Sequence, residues 1–256
     1  MHCAVIGLGE AGRIYAEALV AAGHRVTGFD PVAEPPPGVV GAPSAREAAV
    51  GAEAVLVLTA ARLSAGIAED LAPVLGPEVT YVDMTSASPQ QMRALGDRLA
   101  DAGIAAVDCA ILGPVPLQGA STPLMLSGPG ARSAETCFAS IGAPVEVVDG
   151  PPGQAMAHKL LRSVFTKGLA SVVCEAARAG RAAGLEEWIT RQMAAQLAGD
   201  GQAVVRRFLV GTPKHALRRS EEMRAARAYL EELGATHDMT DATVALHERY
   251  AAEGAS

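Results

Sequence analysis

A glycine-punctuated turn between an apolar strand and a helix occupies the first thirty residues, and it limits the folds open to this chain more than any other stretch. Cys3 to Ile6 form a short apolar run, the turn reads Gly7-Leu8-Gly9-Glu10-Ala11-Gly12, and Ile14 to Ala22 resume at helical spacing. After Gly23 and His24, a second apolar-rich run from Arg25 to Phe29 ends on Asp30, eighteen positions beyond Gly12. A strand, a G-x-G-x-x-G turn, a helix, a second strand and an acid at this offset make up a dinucleotide-binding fingerprint. Gly7 permits a tight turn, Gly9 lets backbone approach a pyrophosphate, and Gly12 lets helix and strand pack closely. Free N–H groups and the positive dipole end of the helix starting near Glu10 are then placed to hold phosphates. Asp30 is placed to accept hydrogen bonds from an adenosine ribose. Its charge would repel a 2′-phosphate and no Arg follows it, so NAD is favoured and NADP is the less expected cofactor.

Length and charge set outer limits. A chain of 256 residues suits two domains at roughly 100 to 200 residues each. No uncharged apolar run approaches the ~18 residues that span a bilayer, and the formal net charge of −7 argues against a nucleic-acid or membrane partner. The first strand begins almost at Met1, which leaves no room for a signal peptide and predicts a soluble, cytoplasmic protein. Cys3, Cys109, Cys137 and Cys174 lie far apart and lack ligand spacing with the histidines. They are expected to be reduced apolar filler, with neither disulfide nor metal.

The Pro- and Gly-rich segment Pro31 to Pro43 reads as a loop, and Ser44 can cap a short helix through Val50. Ala54 to Leu58 is a continuous apolar run of the kind a doubly covered parallel strand shows. It places Thr59 and Ala60 at a carboxyl strand end, where open α/β sheets bind ligands. A helix over Ala61 to Leu75, a strand over Val79 to Val82 and a helix from Pro89 to Ala102 follow. Strands at Ile104 to Cys109 and Leu124 to Leu126 flank a Gly- and Pro-rich loop, Leu112 to Pro123. A helix over Ala131 to Ile141 and a strand over Val145 to Val148 end this half. The expected fold is a Rossmann-type α/β doubly wound parallel sheet over residues 1–150, followed by an all-α domain over residues 151–256. In that second half the helices are expected at Gln154 to about Ala179, Glu186 to Leu197, Gln202 to Val210, His215 to Leu233 and Asp241 to Ala252. Leu160, Leu161, Val164, Phe165, Leu169, Val172 and Val173 form an apolar stripe on the first of them, which predicts a homodimer.

Lys159, Ser163 and Lys167 share one line of that helix, with Arg162 beside it. A lysine can act as a general base if burial or nearby cations lower its pKa. His158 is the rival base, but it points about 100° away from Lys159. Between Ala203 and Ala228 seven Lys/Arg face two acids, and His215, Arg218 and Arg219 share a face. Arg forks bind carboxylate or phosphate, which makes these three the candidate substrate-anion site, against the alternative of a solvated face with Arg219 paired to Glu222.

The segments GLGEAG, VDMTSASP at Val82 to Pro89, DCAILGP at Asp108 to Pro114 and GQAMAHKLLRS at Gly153 to Ser163 occur in an order that resembles the β-hydroxyacid dehydrogenase superfamily. That superfamily includes 3-hydroxyisobutyrate and 6-phosphogluconate dehydrogenases and, more distantly, imine reductases. The later stretches SVFTKGLASVVCEA and HALRRSEEMRAARAYLEELG look like the subgroup with a mostly uncharacterised 6-phosphogluconate-dehydrogenase-like C-terminal domain. The resemblance covers essentially the whole chain. It implies that Lys159 is the catalytic lysine and that Thr85 and Ser86 line the nicotinamide and substrate. Leu112, next to Gly113, stands where the family has a substrate-binding serine, and Ser163 stands where it has an asparagine, so the carboxylate pocket of the 3-hydroxyisobutyrate type is rebuilt here. The reading is an NAD-dependent oxidoreductase acting on a small anionic β-hydroxyacid or its keto form, with decarboxylation as a possible following step. Imine reduction and non-catalytic NAD-binding regulation are the alternatives, and retention of Lys159 speaks against the second of them.

Overall fold

The structure, a computed structural model, describes residues 1–254 and divides into two compact units, Met1–Arg162 and Ser163–Ser256. The first is built on an eight-stranded sheet: β1 (His2–Ile6), β2 (Arg25–Phe29), β3 (Val40–Gly41), β4 (Ala54–Val57), β5 (Thr80–Asp83), β6 (Ala105–Ile111), β7 (Leu124–Ser127) and β8 (Val145–Val147). Their spatial order is β3-β2-β1-β4-β5-β6-β7-β8. The helices of this unit are α1 (Glu10–Ala21), α2 (Ala45–Ala49), α3 (Ser64–Leu71), α4 (Pro89–Asp101), α5 (Val115–Gln118) and α6 (Ala131–Ser140). Alternation along β1 supplies both faces: Cys3 and Val5 join one core with Leu8, Tyr15 and Phe138, while Ala4 and Ile6 join another with Tyr81 and Leu99. Helices on both faces explain why these strands read as unbroken apolar runs. Chain order reverses at β1, whose neighbours are β2 and β4, so the crevice between the carboxyl ends of β1 and β4 is the topological switch point.

Three expectations are corrected. The sheet is not wholly parallel: β7 runs antiparallel to β6. A parallel return needs a crossover of a dozen or more residues, usually through a full helix, whereas residues 112–123 hold only α5 and one 3₁₀ turn. Inside the expected loop, Val40 and Gly41 pair with Thr27 and Gly28 as β3, an element too short to show periodicity. The helix expected over Ala61 to Leu75 is instead α3 flanked by 3₁₀ turns at Ala61–Leu63 and Ala72–Val74.

The second unit is helical. α7 (Gln154–Ala182) begins in the first unit, and α8 (Glu186–Leu197), α9 (Gly201–Lys214), α10 (Ala216–Glu232) and α11 (Asp238–Glu253) follow. α7 runs past Ala179 and ends where Gly184, at φ +71°, lets the Leu185 N–H reach back to the Gly180 carbonyl. α9 likewise continues beyond Val210, carrying Pro213 in its last turn. α11 starts three residues ahead of the expected Asp241, because the Glu175 carboxylate of α7 accepts the Met239 N–H at 2.7 Å, the Thr240 N–H at 2.8 Å and the Thr240 hydroxyl at 2.7 Å. A cap borrowed from a distant helix leaves no local sequence signal. Glu175→Ala strands these donors, and the expected loss is on the order of 3 kcal/mol in urea unfolding. A loss below about 0.5 kcal/mol would show that water replaces the cap. No described helix is long and apolar enough to cross a membrane.

Candidate functional site

The glycine turn carries its own evidence of use. At Gly7, φ is +96° and a Cβ would meet the Leu58 carbonyl oxygen at 2.6 Å; at Gly12 a Cβ would lie 1.9 Å from the Gly7 carbonyl oxygen. These two glycines are therefore required by packing. Gly9 is different, since nothing lies within 4 Å of its Cβ position. It is also the N-cap of α1 and supplies no side-chain hydrogen bond there, so the first N–H groups of α1 have no capping side chain. Uncapped N–H groups at a helix start suit a pyrophosphate by charge, and the missing Cβ leaves room for backbone to approach it. Leu8 is buried, Ala11 half-buried and Glu10 exposed.

Asp30 is folded back onto the same turn. Its Oδ2 accepts the Leu8 N–H at 2.8 Å, and its Oδ1 accepts the Val32 and Ala33 N–H groups at 2.9 Å each. Partial burial pushes this carboxyl up, but the three N–H donors outweigh it and hold the group below the usual Asp range. Sequence spacing located Asp30 correctly at the end of β2 and missed that its first partner is the glycine turn. One lone pair on Oδ2 remains for a ribose hydroxyl.

Beside the turn lies a cavity of about 370 Å³ whose walls include Gly7, Phe29, Pro31, Thr59, Arg62 and Ile67. Its mostly apolar walls lie at the carboxyl ends of β1 and β2, beside the switch point. Phe29, Pro31, Arg62 and Ile67 were not singled out in the sequence. Pro31 adjoins Asp30 and Arg62 follows β4 by a few residues, which is the signal that was available. Arg62 also lines this cavity, from another element, although no Arg follows Asp30. Thr59 keeps a buried hydroxyl oxygen without a hydrogen-bond partner among the described residues, and Ala60 is exposed.

At the carboxyl end of β5, Thr85 is buried. Its N–H donates to Asp83 at 2.8 Å, and its hydroxyl oxygen accepts the Ala87 N–H at 3.3 Å. Thr85 thus shapes the turn that leaves Ser86 exposed. Asp83 and Asp108 are register partners on β5 and β6 and both are fully buried; burial pushes both carboxyls up, against hydrogen bonds that pull them down. Neither was picked out from sequence. Past the end of β6, Leu112 packs against the apolar cluster containing Ala155 and Met156, and Gly113 is half-buried with Gln118 tight against its Cβ position.

Lys159 is half-buried on α7 and His158 is exposed, with His158 Nδ1 bonded to the Gln154 carbonyl at 2.7 Å. Burial, then the charge of Asp108, push the Cys109 thiol well above its usual range, and Lys159 is near enough to pull it the other way. Ser163 is half-buried, four residues along α7. In the second unit Arg218 is paired with Glu222, the acid expected for Arg219, because Arg218 and Glu222 stand four apart on α10. Arg219 donates to the Thr212 hydroxyl at 3.1 Å instead, and His215 is exposed. The pair engages Arg218 through one guanidinium nitrogen, which leaves further N–H donors on that side chain. Cys3, Cys109 and Cys137 are buried as expected of filler, whereas Cys174 is exposed.

Residues 180–250 match a family described as a domain of unknown function. An uncharacterised 28.5 kDa protein in the 7S RNA 5′ region of Methanothermus fervidus is 27% identical over 143 residues, 56% of this chain and 55% of that one, so the match spans about half the length of that relative. Among solved structures, an imine reductase from Streptomyces aurantiacus superposes with a TM-score of 0.86 at 22% identity, covering 100% of this chain and 96% of that one. The imine reductase of Myxococcus stipitatus, in complex with NADP+, gives a TM-score of 0.83 at 18% identity over 99% of this chain and 95% of its own. A variant of it in complex with NAD+ gives 0.83 at 19% identity, over 99% and 94%. At such identities these likenesses show the fold. Residues 2–150 match the family described as the NAD binding domain of 6-phosphogluconate dehydrogenase, which is more than half of the chain, and to that family the chain belongs.

Proposed function

We propose that this protein is an NAD(P)-linked oxidoreductase that moves a hydride to or from the carbon of a small anionic β-hydroxyacid or its keto form, with Lys159 as general base and acid. The observation that carries this reading is Lys159, half-buried on α7, the helix whose first turn donates the Gly153 and Met156 N–H groups to Asp108 of β6. When bound, the nicotinamide provides the hydride acceptor or donor. The neutral amine of Lys159 takes the hydroxyl proton as the carbon is oxidised, and its ammonium returns that proton in the reverse direction. Thr85 and Ser86 form the strand-end turn on the nicotinamide side, and Gly113 and Ser163 belong with Lys159 to the substrate side. His215, Arg218 and Arg219 are the proposed anion contacts. An iminium substrate is a cation, and an ammonium beside it is a like charge, so the lysine supports an oxygen substrate over a nitrogen one.

Imine reduction is the second reading, supported by one observation: Leu112 packs into an apolar cluster where a carboxylate-binding serine would be needed. Absorbance of the reduced nicotinamide, followed with a panel of hydroxyacids, phosphorylated hydroxyacids and amines, separates the two. Turnover of amines alone would move the second reading ahead. Binding of dinucleotide with no turnover anywhere on the panel would favour a regulatory role.

For the cofactor we propose NAD. A charged acceptor on the ribose is worth on the order of 1.5 to 3 kcal/mol, and repulsion of a 2′-phosphate adds to it. NADH should bind at least tenfold more tightly than NADPH by calorimetry, and Asp30→Ala should narrow that gap. Tighter NADPH binding would point to Arg62 as the overriding charge. We also propose a homodimer through residues 151–256, supported by Leu161, Val164 and Phe165 of α7, which are 73%, 76% and 61% exposed in the single chain. Apolar exposure of this kind marks an interface. Light scattering at micromolar concentration should give twice the chain mass, and a monomer there would rule the dimer out.

A further inference from the structure

Asp108 and Ser127 are direct partners in the antiparallel β6–β7 ladder, and both side chains are fully buried. Oδ2 of Asp108 accepts the N–H groups of Gly153 and Met156 at 2.9 Å each. Ser127 Oγ accepts the Ala155 N–H at 3.0 Å and donates to the same Asp108 oxygen at 3.4 Å. The opening N–H groups of a helix have no partner within it, and here one strand pair takes three of those at the start of α7. The carboxylate also meets the positive end of the helix dipole. An apolar pair at these positions would cover the sheet at far lower desolvation cost, but it would leave the Gly153, Ala155 and Met156 N–H groups without acceptors. Lys159 follows Met156 by three residues, less than one turn, and its backbone stands only about 4.5 Å further along the helix axis at ~1.5 Å per residue.

We propose that Asp108, seconded by Ser127, is the positioning residue for Lys159: it fastens the first turn of α7 to β6 and β7 and thereby fixes where the lysine amine stands. The inference rests on the reading of Lys159 as the proton-transferring group, and its test needs no substrate. In the full chain, hydrogen exchange of the Gly153, Ala155 and Met156 amides is measured together with the rate at which acetic anhydride acylates Lys159, referred to Lys167 and Lys214 in the same sample. Asp108→Ala should speed exchange of those amides at least tenfold and change the Lys159 ratio at least threefold. Asp108→Asn keeps one acceptor oxygen and should restore the ratio to within a factor of two of the parent. Ser44→Ala, which removes a helix cap elsewhere in the fold, should leave the ratio unchanged. If Asp108→Ala does not fold, Ser127→Ala should shift the ratio in the same sense by a smaller factor.

Parent-like exchange and ratio in Asp108→Ala, or in Ser127→Ala where that variant stands in, would overturn the proposal. So would an equal shift in Ser44→Ala, which would mark general loosening, or an equal shift in Asp108→Asn, which would mark charge rather than fastening. Because no turnover is read, failure here is distinct from failure of the Lys159 assignment, which is decided by the activity of Lys159→Met.

Discussion

Lys159→Met should lower turnover of any hydroxyacid found on the panel by at least two orders of magnitude, while the fold and dinucleotide affinity stay as they are. A positioned general base typically contributes about 10² to 10⁴-fold, and methionine keeps the length and apolar stem of lysine without a titratable nitrogen. The base works only after losing its own proton, so oxidation should rise as pH passes the lysine pKa from below. That rising limb should disappear in the variant. Lys167→Met, on an exposed position of the same helix, is the control and should retain most activity. Near-parental turnover in Lys159→Met would remove the lysine from the chemistry and return attention to His158 or a tyrosine.

Two alanine substitutions in the glycine turn should fail in different ways. At position 12 the new Cβ would sit 1.9 Å from a backbone oxygen of Gly7, and a turn already tied to Phe29 through its N–H at 2.8 Å has little room to yield. Overpacking of this kind costs about 1 to 3 kcal/mol and sometimes more, so Gly12→Ala should unfold at markedly lower urea. At position 9 the Cβ meets nothing within 4 Å, so Gly9→Ala should unfold like the parent and yet bind NAD at least tenfold more weakly. Parent-like NAD affinity in Gly9→Ala would show that phosphates do not lie against that residue.

The parts legible in the sequence are those with local causes. Apolar runs gave the interior strands because both faces of the sheet are covered, and α4 starts at Pro89 as expected because Ser88 and Gln91 close a local capping box. What escaped depends on contacts between distant segments. The reversal of β7, the start of α11 under Glu175 and the hold of Asp30 on Leu8 all join residues that no short window contains together. The same holds for the site: Gly7, Gly9 and Gly12 stood out by spacing, whereas Asp108 reads as one acid in an apolar strand until the helix it fastens is in view. Arg218 and Arg219 show the opposite error, since helical spacing alone could not say which of them would take Glu222.

The two ends of the sheet bear on how the molecule behaves in company. A strand at a sheet margin offers unpaired N–H and C=O groups to any passing chain, and long flat margins invite aggregation. Here one margin is β3, two residues long, and the other is β8, three residues long with exposed Glu146 at its centre. Neither offers enough template for another molecule to add a strand, and the charge on β8 discourages the attempt. A chain rich in β-branched interior strands is thereby kept from growing sideways into fibres, and copies of it that associate must do so through side chains rather than through backbone.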